Sequence, residues 1–341
     1  MARVLTVILL LSLLGQTFAQ ETFSAADLQR DFEFVVQTIQ DVHPNPYTKI
    51  SEAELEQARA HIESQLSEPL TKAAFHTLIE SYVESIQDDH TSLLLGDPIS
   101  EAGCEDTGQR RAYSLNNVGI LKLSSFGVDP FNPEPGLDEF ATFFEETFEE
   151  FQEENISSII VDLRQNSGGN SDVGDMLVSY ITNQPYRMFA QVEAKISTQF
   201  LEYFRSTGRE LPSEVTSSLG EIFVSEVPLE PPPSNSLRFE GDVFVLTSQC
   251  TASSATDFAA VVKDFQLGTI VGEETGGLPT HVGNSLIFTL PETELELRVS
   301  SIYYVRPGDF DDGRGVLPDC EVEASQALQA VLSGECQAIS P

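Results

Sequence analysis

The chain has 341 residues, of which 40% are hydrophobic, and it carries a formal net charge of −36 at pH 7. Phosphate binding needs a basic surface, so this balance argues against nucleic acid as a partner. Because the apolar fraction is ordinary, the acidity indicates a solvated surface on a globular protein, not a disordered acidic chain.

The first residues have the features of a signal peptide. Arg3 precedes an apolar run that ends near Leu14, and small residues lead to Ala19. We therefore predict a signal peptide over residues 1–19 and a secreted or periplasmic protein. The apolar run is shorter than the roughly 20 residues of a spanning helix, and no later segment qualifies, so no membrane span is predicted.

Helical periodicity predicts a helical N-terminal subdomain over residues 20–95, interrupted by the prolines of HPNPY at residues 43–47. A polar loop follows, and then a strand is predicted in NVGILKLSSF. The stretch DEFATFFEETFEEFQEE repeats phenylalanine at helical spacing, which predicts a helix with a buried face.

The remaining sequence predicts an α/β core domain over residues 96–341. ISSIIVDLRQNSGGNSDVGDMLVSYI and GDVFVLTSQCTASSATDFAAVVKDF both show a buried strand, a turn and a helix, and the short strand TIVGE follows. The weaker stretch at about 184–239 is interpreted as a surface insertion or lid. A hairpin that turns at Pro291 and a C-terminal helix in ASQALQAVL complete the chain.

Four cysteines lie in the predicted exported part, where thiols oxidise, so two disulfides are expected. Cys320 and Cys336 bracket the C-terminal helix. We favour that pair, with Cys104 and Cys250 as the second, although spacing alone does not decide among the three pairings. No cysteines or histidines have metal-ligand spacing, and no metal site is predicted.

The segment TASSATDFAAVV places Ser253 and Ser254 at a strand-to-helix turn, where helix N-terminal amides can stabilise an oxyanion. A helix cap is an equally good explanation of these serines. A second turn contains Gly168 and Gly169, whose unshielded amides suit an oxyanion hole or a phosphate cradle. Neither a Walker loop nor a dinucleotide fingerprint is present at this turn.

Three segments, IIVDLRQNSGG, TASSATDFAAVVKDFQLGTIVGEETGG and GVLPDCEVE, occur in this order and together resemble the signature blocks of tail-specific, or C-terminal-processing, peptidases, a family that includes tricorn. The resemblance covers residues 88–323. It implies a crotonase- and Clp-protease-like β-β-α spiral core, peptide or protein substrates and no cofactor.

The same resemblance implies site residues. It assigns the nucleophile to Ser254, three residues before the acidic Asp257, and the oxyanion hole to the amides of Gly168 and Ala255. The Ser/Lys branch of the family has a lysine where this chain has Leu278, so that dyad is absent. Lys263 does not replace it, because nine residues along one helix span roughly 13 Å.

The tricorn-like branch uses histidine, and DDHTSL at residues 88–93 resembles its histidine motif, which makes His90 the expected general base. His281, in an apparent polar loop, is the competing base. The acidic run Asp309, Asp311 and Asp312 lies where such members have a supporting carboxylate. Asp312 matches best, and a solvated turn carboxylate is the alternative reading.

These features predict a serine endopeptidase. Two other functions remain open at this point. A non-catalytic binding protein on the same fold is one, because retinoid-binding relatives exist, and a small-substrate esterase or amidase is the other. The segment between His90 and the first core strand leaves little room for a PDZ module, so substrate choice is not predicted.

Overall fold

The computed structural model describes residues 21–95, 104, 107–129, 132–206, 208, 210–308 and 310–339. The predicted signal peptide and Asp309 lie outside these ranges. The strands of the described residues are, in chain order, β1 (Thr22–Phe23), β2 (Leu70–Thr71), β3 (Ser92–Leu94), β4 (Arg110–Leu115), β5 (Val118–Leu123), β6 (Ser158–Asp162), β7 (Gln191–Lys195), β8 (Ile222–Glu226), β9 (Asp242–Thr247), β10 (Thr269–Gly272), β11 (His281–Thr289), β12 (Glu296–Val305) and β13 (Cys320–Glu321). The helices are α1 (Ala25–Val42), α2 (Glu52–Gln65), α3 (Lys72–Glu84), α4 (Glu134–Glu153), α5 (Ser171–Ile181), α6 (Thr198–Ser206), α7 (Ser213–Ser217), α8 (Ser254–Asp264) and α9 (Ala324–Leu332).

The N-terminal segment is helical, as predicted. Ser24 and Ser51 each form a capping box with an acidic residue three positions later, so the first amides of α1 and α2 are satisfied. Helix α1 ends at Val42, immediately before the proline-containing segment HPNPY.

A six-stranded sheet forms the centre of the molecule, in the order β13-β10-β9-β6-β5-β4. Strands β5, β6, β9, β10 and β13 pair in parallel, and β4 is antiparallel to β5. The two predicted strand-turn-helix units supply the adjacent strands β6 and β9, as a parallel α/β arrangement requires. The mixed α/β fold class is confirmed, whereas β4 falls partly in a segment predicted to be a loop.

The second sheet is antiparallel, with the order β11-β12-β7-β8, and β3 also pairs with β12. The predicted hairpin is its β11–β12 pair. Strands β7 and β8 come from the stretch at 184–239, so part of this stretch belongs to the sheet, and helices α6 and α7 lie between the two strands. The interpretation of this stretch as a surface insertion or lid remains a prediction.

Three buried clusters hold these layers together. The first packs α4, α5 and α8 against one face of the central sheet and includes the phenylalanine stripe predicted for α4, namely Phe140, Phe144, Phe148 and Phe151. The second joins the N-terminal helices to β12 and to α6, and the third packs α9 on the other face of the central sheet. The N-terminal helices therefore share one core with the second sheet.

Both expected disulfides are present, Cys104–Cys250 and Cys320–Cys336. The first connects the segment after β3 to the turn that precedes α8. No helix among the described residues has the length and apolar character needed to span a bilayer.

Sheet register brings the two candidate turns together. Asp162, at the end of β6, is paired with Leu246 near the end of β9. Because neighbouring parallel strands end at the same edge of a sheet, the glycine turn and the serine turn lie side by side there.

Candidate active site

Ser253 lies between two cavities, with volumes of about 560 and 430 Å³. Both cavities are lined by His90, Ser253 and His281. The larger one reaches the first turn of α5 and strands β11 and β12, and the smaller one reaches the segment from Gly277 to Val282. The three shared residues therefore lie where the two cavities adjoin.

His90 is hydrogen-bonded to Ser253. Its Nε2 lies 3.1 Å from the Ser253 Oγ, within reach for proton transfer. The neighbouring Ser254 is 2% exposed, and its Oγ has no hydrogen-bond partner among the described residues. The structure therefore pairs the expected base with Ser253, not with Ser254 as the sequence comparison implied.

The backbone of Ser253 explains this difference. Ser253 has φ 49° and ψ −132°, and the helix begins only at Ser254. This conformation is rare for a residue with a Cβ and occurs where the surrounding structure enforces it, often at functional sites. Its side chain makes no cap hydrogen bond, so the alternative explanation as a helix cap fails for Ser253.

The glycine turn is packed directly on this serine. A Cβ added to Gly168 would lie 2.6 Å from the Ser253 Cβ, and Gly168 has φ +108°. The side chain of Asn166 orders the turn from inside, since it donates to the Leu123 carbonyl at 3.1 Å and accepts from the Gly168 N–H at 2.9 Å. Only glycine fits at position 168.

The oxyanion hole expected from Gly168 and Ala255 is not available in that form. The Gly168 N–H donates to Asn166, and the Ala255 N–H donates to the Ala252 carbonyl at 3.1 Å. Among the described residues, no hydrogen bond uses the N–H of Gly169 or of Ser254. Gly169 and Ser254 line the same cavity as Ser253, so their amides are the candidates in place of those of Gly168 and Ala255.

Asp88 fixes the segment that carries His90. Its Oδ1 accepts the His90 backbone N–H at 2.8 Å, and its Oδ2 accepts from Thr91 Oγ1 and Ser300 Oγ and lies 3.2 Å from His43 Nε2. Burial alone would raise the pKa of Asp88, but these hydrogen bonds outweigh it and lower the pKa to about 2. An ionised carboxylate thus anchors the loop. Asp88 is the first residue of the motif DDHTSL, but the sequence pattern indicated a role only for His90.

Asp312 does not orient His90 in this structure. Its carboxylate accepts from the Arg314 N–H at 3.3 Å and lies 3.8 Å from Arg306 Nη1. Among the described residues, no hydrogen bond joins it to the His90 ring. Lys263 is paired with Asp319, in agreement with its exclusion as a base.

His281 begins strand β11 and is not in a loop. Its ring stacks on His90 with centroids 5.5 Å apart, and its Nδ1 lies 3.7 Å from Asp257 Oδ1. Burial, and then the proximity of His90, lowers the pKa of His281 to about 3, and burial raises the pKa of Asp257 well above its usual range. Both shifts disfavour the charged forms, so burial opposes an ion pair between the two groups. A nitrogen this weakly basic is a poor general base.

No group of His, Cys, Asp and Glu side chains suited to a metal ion is found among the described residues. A serine hydroxyl bonded to imidazole beside two available backbone amides is the arrangement of a serine hydrolase.

The sequence comparison identifies the class further. The model of peptidase family S41 matches residues 117–322, which is more than half of the chain. The chain therefore belongs to peptidase family S41 and is a serine-type peptidase. His90 and Asp88 precede the matched range.

Several solved structures share the fold. A putative peptidase from Parabacteroides merdae has 16% sequence identity and a TM-score of 0.60, covering 90% of this chain and 92% of that chain. A lipoprotein from Streptococcus agalactiae has 16% identity and a TM-score of 0.57, covering 90% and 95%. Mature CPAF complexed with lactacystin has 13% identity and a TM-score of 0.61, covering 91% and 97%.

Proposed function

We propose that this chain is an exported serine endopeptidase in which Ser253 is the nucleophile and His90 its general base. The observation that carries the proposal is the 3.1 Å contact between His90 Nε2 and Ser253 Oγ, made by a serine whose strained backbone is held between two ordered turns. Ser254, the nucleophile implied by the motif resemblance, is 2% exposed, and its Oγ is not hydrogen-bonded to a base among the described residues.

The reaction is acyl transfer through a covalent intermediate. His90 Nε2 takes the proton from Ser253 as the Oγ attacks a peptide carbonyl, and the amides of Gly169 and Ser254 donate to the oxyanion. His90 then protonates the leaving amine. Water, deprotonated by His90, attacks the acyl-enzyme and releases the acid product, which regenerates Ser253.

Asp88 contributes by holding the His90 backbone, not by bonding the imidazole ring. The ring Nδ1 of His90 has no protein acceptor among the described residues. The site is therefore proposed to operate as a Ser-His dyad on an anchored loop.

Export is supported by the N-terminal signal pattern and by the two disulfides, since disulfides persist in oxidising compartments. Intact-mass measurement of the secreted protein, with and without reduction, tests this part. A mature chain beginning near Gln20 with two bridges is expected, and free thiols after secretion would argue against it.

Labelling with a fluorophosphonate tests the catalytic part, because such a probe reacts with an activated serine. The wild type and Ser254→Ala should be labelled and should cleave a peptide library. Ser253→Ala and His90→Ala should lose both properties, with rates lower by several orders of magnitude, while circular dichroism shows that they are folded.

Labelling that survives in Ser253→Ala and disappears in Ser254→Ala would transfer the nucleophile to Ser254. If His281→Ala abolishes labelling and His90→Ala does not, the base is His281. Turnover of nitrophenyl esters without any peptide cleavage would favour an esterase, and a wild type that neither reacts nor cleaves would favour a binding protein.

A further inference from the structure

Four buried side-chain atoms among the described residues have no hydrogen-bond partner. They are Ser254 Oγ, Asp257 Oδ1, His281 Nδ1 and Arg298 Nε. All four residues line the larger cavity beside Ser253. Buried polar groups in folded proteins are nearly always satisfied, so this concentration of unsatisfied atoms at one cavity requires an explanation.

Arg298 is the cation of this group. It is partly buried, and within the described part of the chain its guanidinium makes neither a hydrogen bond nor an ion pair. Arg164 and Arg306 are paired with carboxylates, at 2.7 and 2.8 Å. Arg187 and Arg238, which are partly buried like Arg298, donate to backbone carbonyls. Arg298 has neither kind of partner among the described residues.

The position of Arg298 is fixed relative to the Ser-His pair. On β12 it is paired with Ser92 of β3, two residues after His90. Two residues further along β12, Ser300 contacts the His90 segment through Asp88 and Thr91. Residues two apart on a strand share a face and lie about 7 Å apart. Arg298 therefore lies on the same face of β12 as Ser300, about 7 Å along the strand from the residue that contacts the His90 segment.

We propose that Arg298 forms a subsite that binds a carboxylate of the substrate beside the scissile bond. A guanidinium matches a carboxylate with two parallel N–H···O bonds, and the partly buried site strengthens them. Such a ligand also satisfies the unpartnered Nε. An extended peptide advances about 3.3 Å per residue, and the arginine side chain adds its own reach. The bound carboxylate therefore belongs to a residue within about four positions of the cleaved bond.

This inference rests on the proposed function. It is tested with pairs of peptides that differ only in having Glu or Gln at one position, and the pairs scan about four positions on either side of the scissile bond. A second set carries Gln throughout and ends in either a free carboxylate or an amide, which separates a side-chain carboxylate from a chain terminus. For wild type, kcat/KM should be higher by about tenfold or more for the carboxylate form at one position.

The variant Arg298→Met should reduce this ratio toward unity, and Arg298→Lys should retain part of it, because lysine keeps the charge but not the two-pronged geometry. Arg111→Met is the matched control. Arg111 is exposed on β4, and its removal changes the net charge equally without touching the cavity, so the ratio should stay at its wild-type value.

Binding of the same peptides to Ser253→Ala, measured by fluorescence anisotropy, provides a readout that needs no turnover. A carboxylate preference that Arg298→Met removes in this background supports the subsite even if no peptide is cleaved, in which case only the proposed function fails. Equal carboxylate preference with and without Arg298, in a wild type that cleaves peptides, would overturn the subsite alone.

Discussion

The carboxylate of Asp88 accepts the backbone N–H of His90 at 2.8 Å and so fixes the segment from which the imidazole reaches Ser253. The same carboxylate is bonded to Thr91 on its own segment and to Ser300 on β12. The distance between His90 and Ser253 therefore depends on an ionised group that is not hydrogen-bonded to either of their side chains.

Replacing Asp88 with Asn should destabilise the protein by about 2–3 kcal/mol at pH 7, because the folded-state pKa of about 2 lies below the unfolded value. A lowered pKa contributes stability that is present above the unfolded pKa and lost as the pH falls through the folded pKa. The gap between the two proteins should therefore close between about pH 4 and pH 2. Urea unfolding across this range measures it.

Asp89→Asn is the control for this experiment, because Asp89 is the exposed neighbour of Asp88. It should change stability little at any pH. A gap for Asp88→Asn that persists unchanged at pH 2 would show that shape, and not ionisation, accounts for the loss.

Asp257 should have the opposite pH dependence. Its carboxyl is buried, Oδ1 has no hydrogen bond, and burial raises its pKa, so folding opposes ionisation. The free-energy cost of burying Asp257 therefore grows as the pH rises above the pKa of about 3.9 that an aspartate has in the unfolded chain. Asp257→Asn cannot ionise in either state. The variant should therefore be more stable than wild type by a larger margin at pH 8 than at pH 4, and the midpoints of urea unfolding measure this margin. A margin that does not change with pH would contradict a raised pKa for Asp257.

The sequence was sufficient to predict which segments meet at the site. Strand-turn-helix patterning located both turns after neighbouring strands, and the histidine motif located His90. The motif resemblance assigns the nucleophile to Ser254, three residues before Asp257, whereas in the structure Ser253 is the serine that is hydrogen-bonded to His90. The positive φ of Ser253 accompanies this contact, and motif spacing does not encode it.

Two other features were not predicted. The amide of Gly168 is occupied by the side chain of Asn166, in a local turn between residues two apart of the kind that asparagine commonly forms. Arg298 was missed because it lies in a strand with an unremarkable alternating pattern. Its significance comes from its Nε, which has no hydrogen-bond partner among the described residues, and only the folded chain reveals that.

The two disulfides should differ in their effect on stability. Cys104–Cys250 closes a sequence separation of 146 residues, and Cys320–Cys336 closes one of 16. Loop-closure entropy predicts a loss of about 4–5 kcal/mol for the double Cys→Ala variant of the first pair and about 3 kcal/mol for the second. Urea unfolding of both variants without reductant measures the losses, and a larger loss for Cys320 and Cys336 would contradict the entropic argument.

Gly277 is expected to be essential for the conformation of Ser253. A Cβ at this position would lie 2.8 Å from the Ala252 Cα and 2.9 Å from the Ser253 backbone N. Both are backbone atoms, so the serine turn must move to admit a methyl group. Gly277→Ala should lower kcat by at least about 100-fold, since small displacements of catalytic groups cost that much, and should weaken fluorophosphonate labelling in parallel.

The matched control is Gly174→Ala, in the middle of α5. There an added Cβ would approach the Phe258 Cβ at 3.4 Å and Met188 Cε at 3.6 Å, which are ordinary contacts. Alanine in a helix is favoured over glycine by about 0.5–1 kcal/mol, so this variant should keep activity and gain some stability. Near-normal kcat in Gly277→Ala beside a normal Gly174→Ala would show that Ser253 tolerates movement of its turn, and that its strained backbone is not what aligns the hydroxyl with His90.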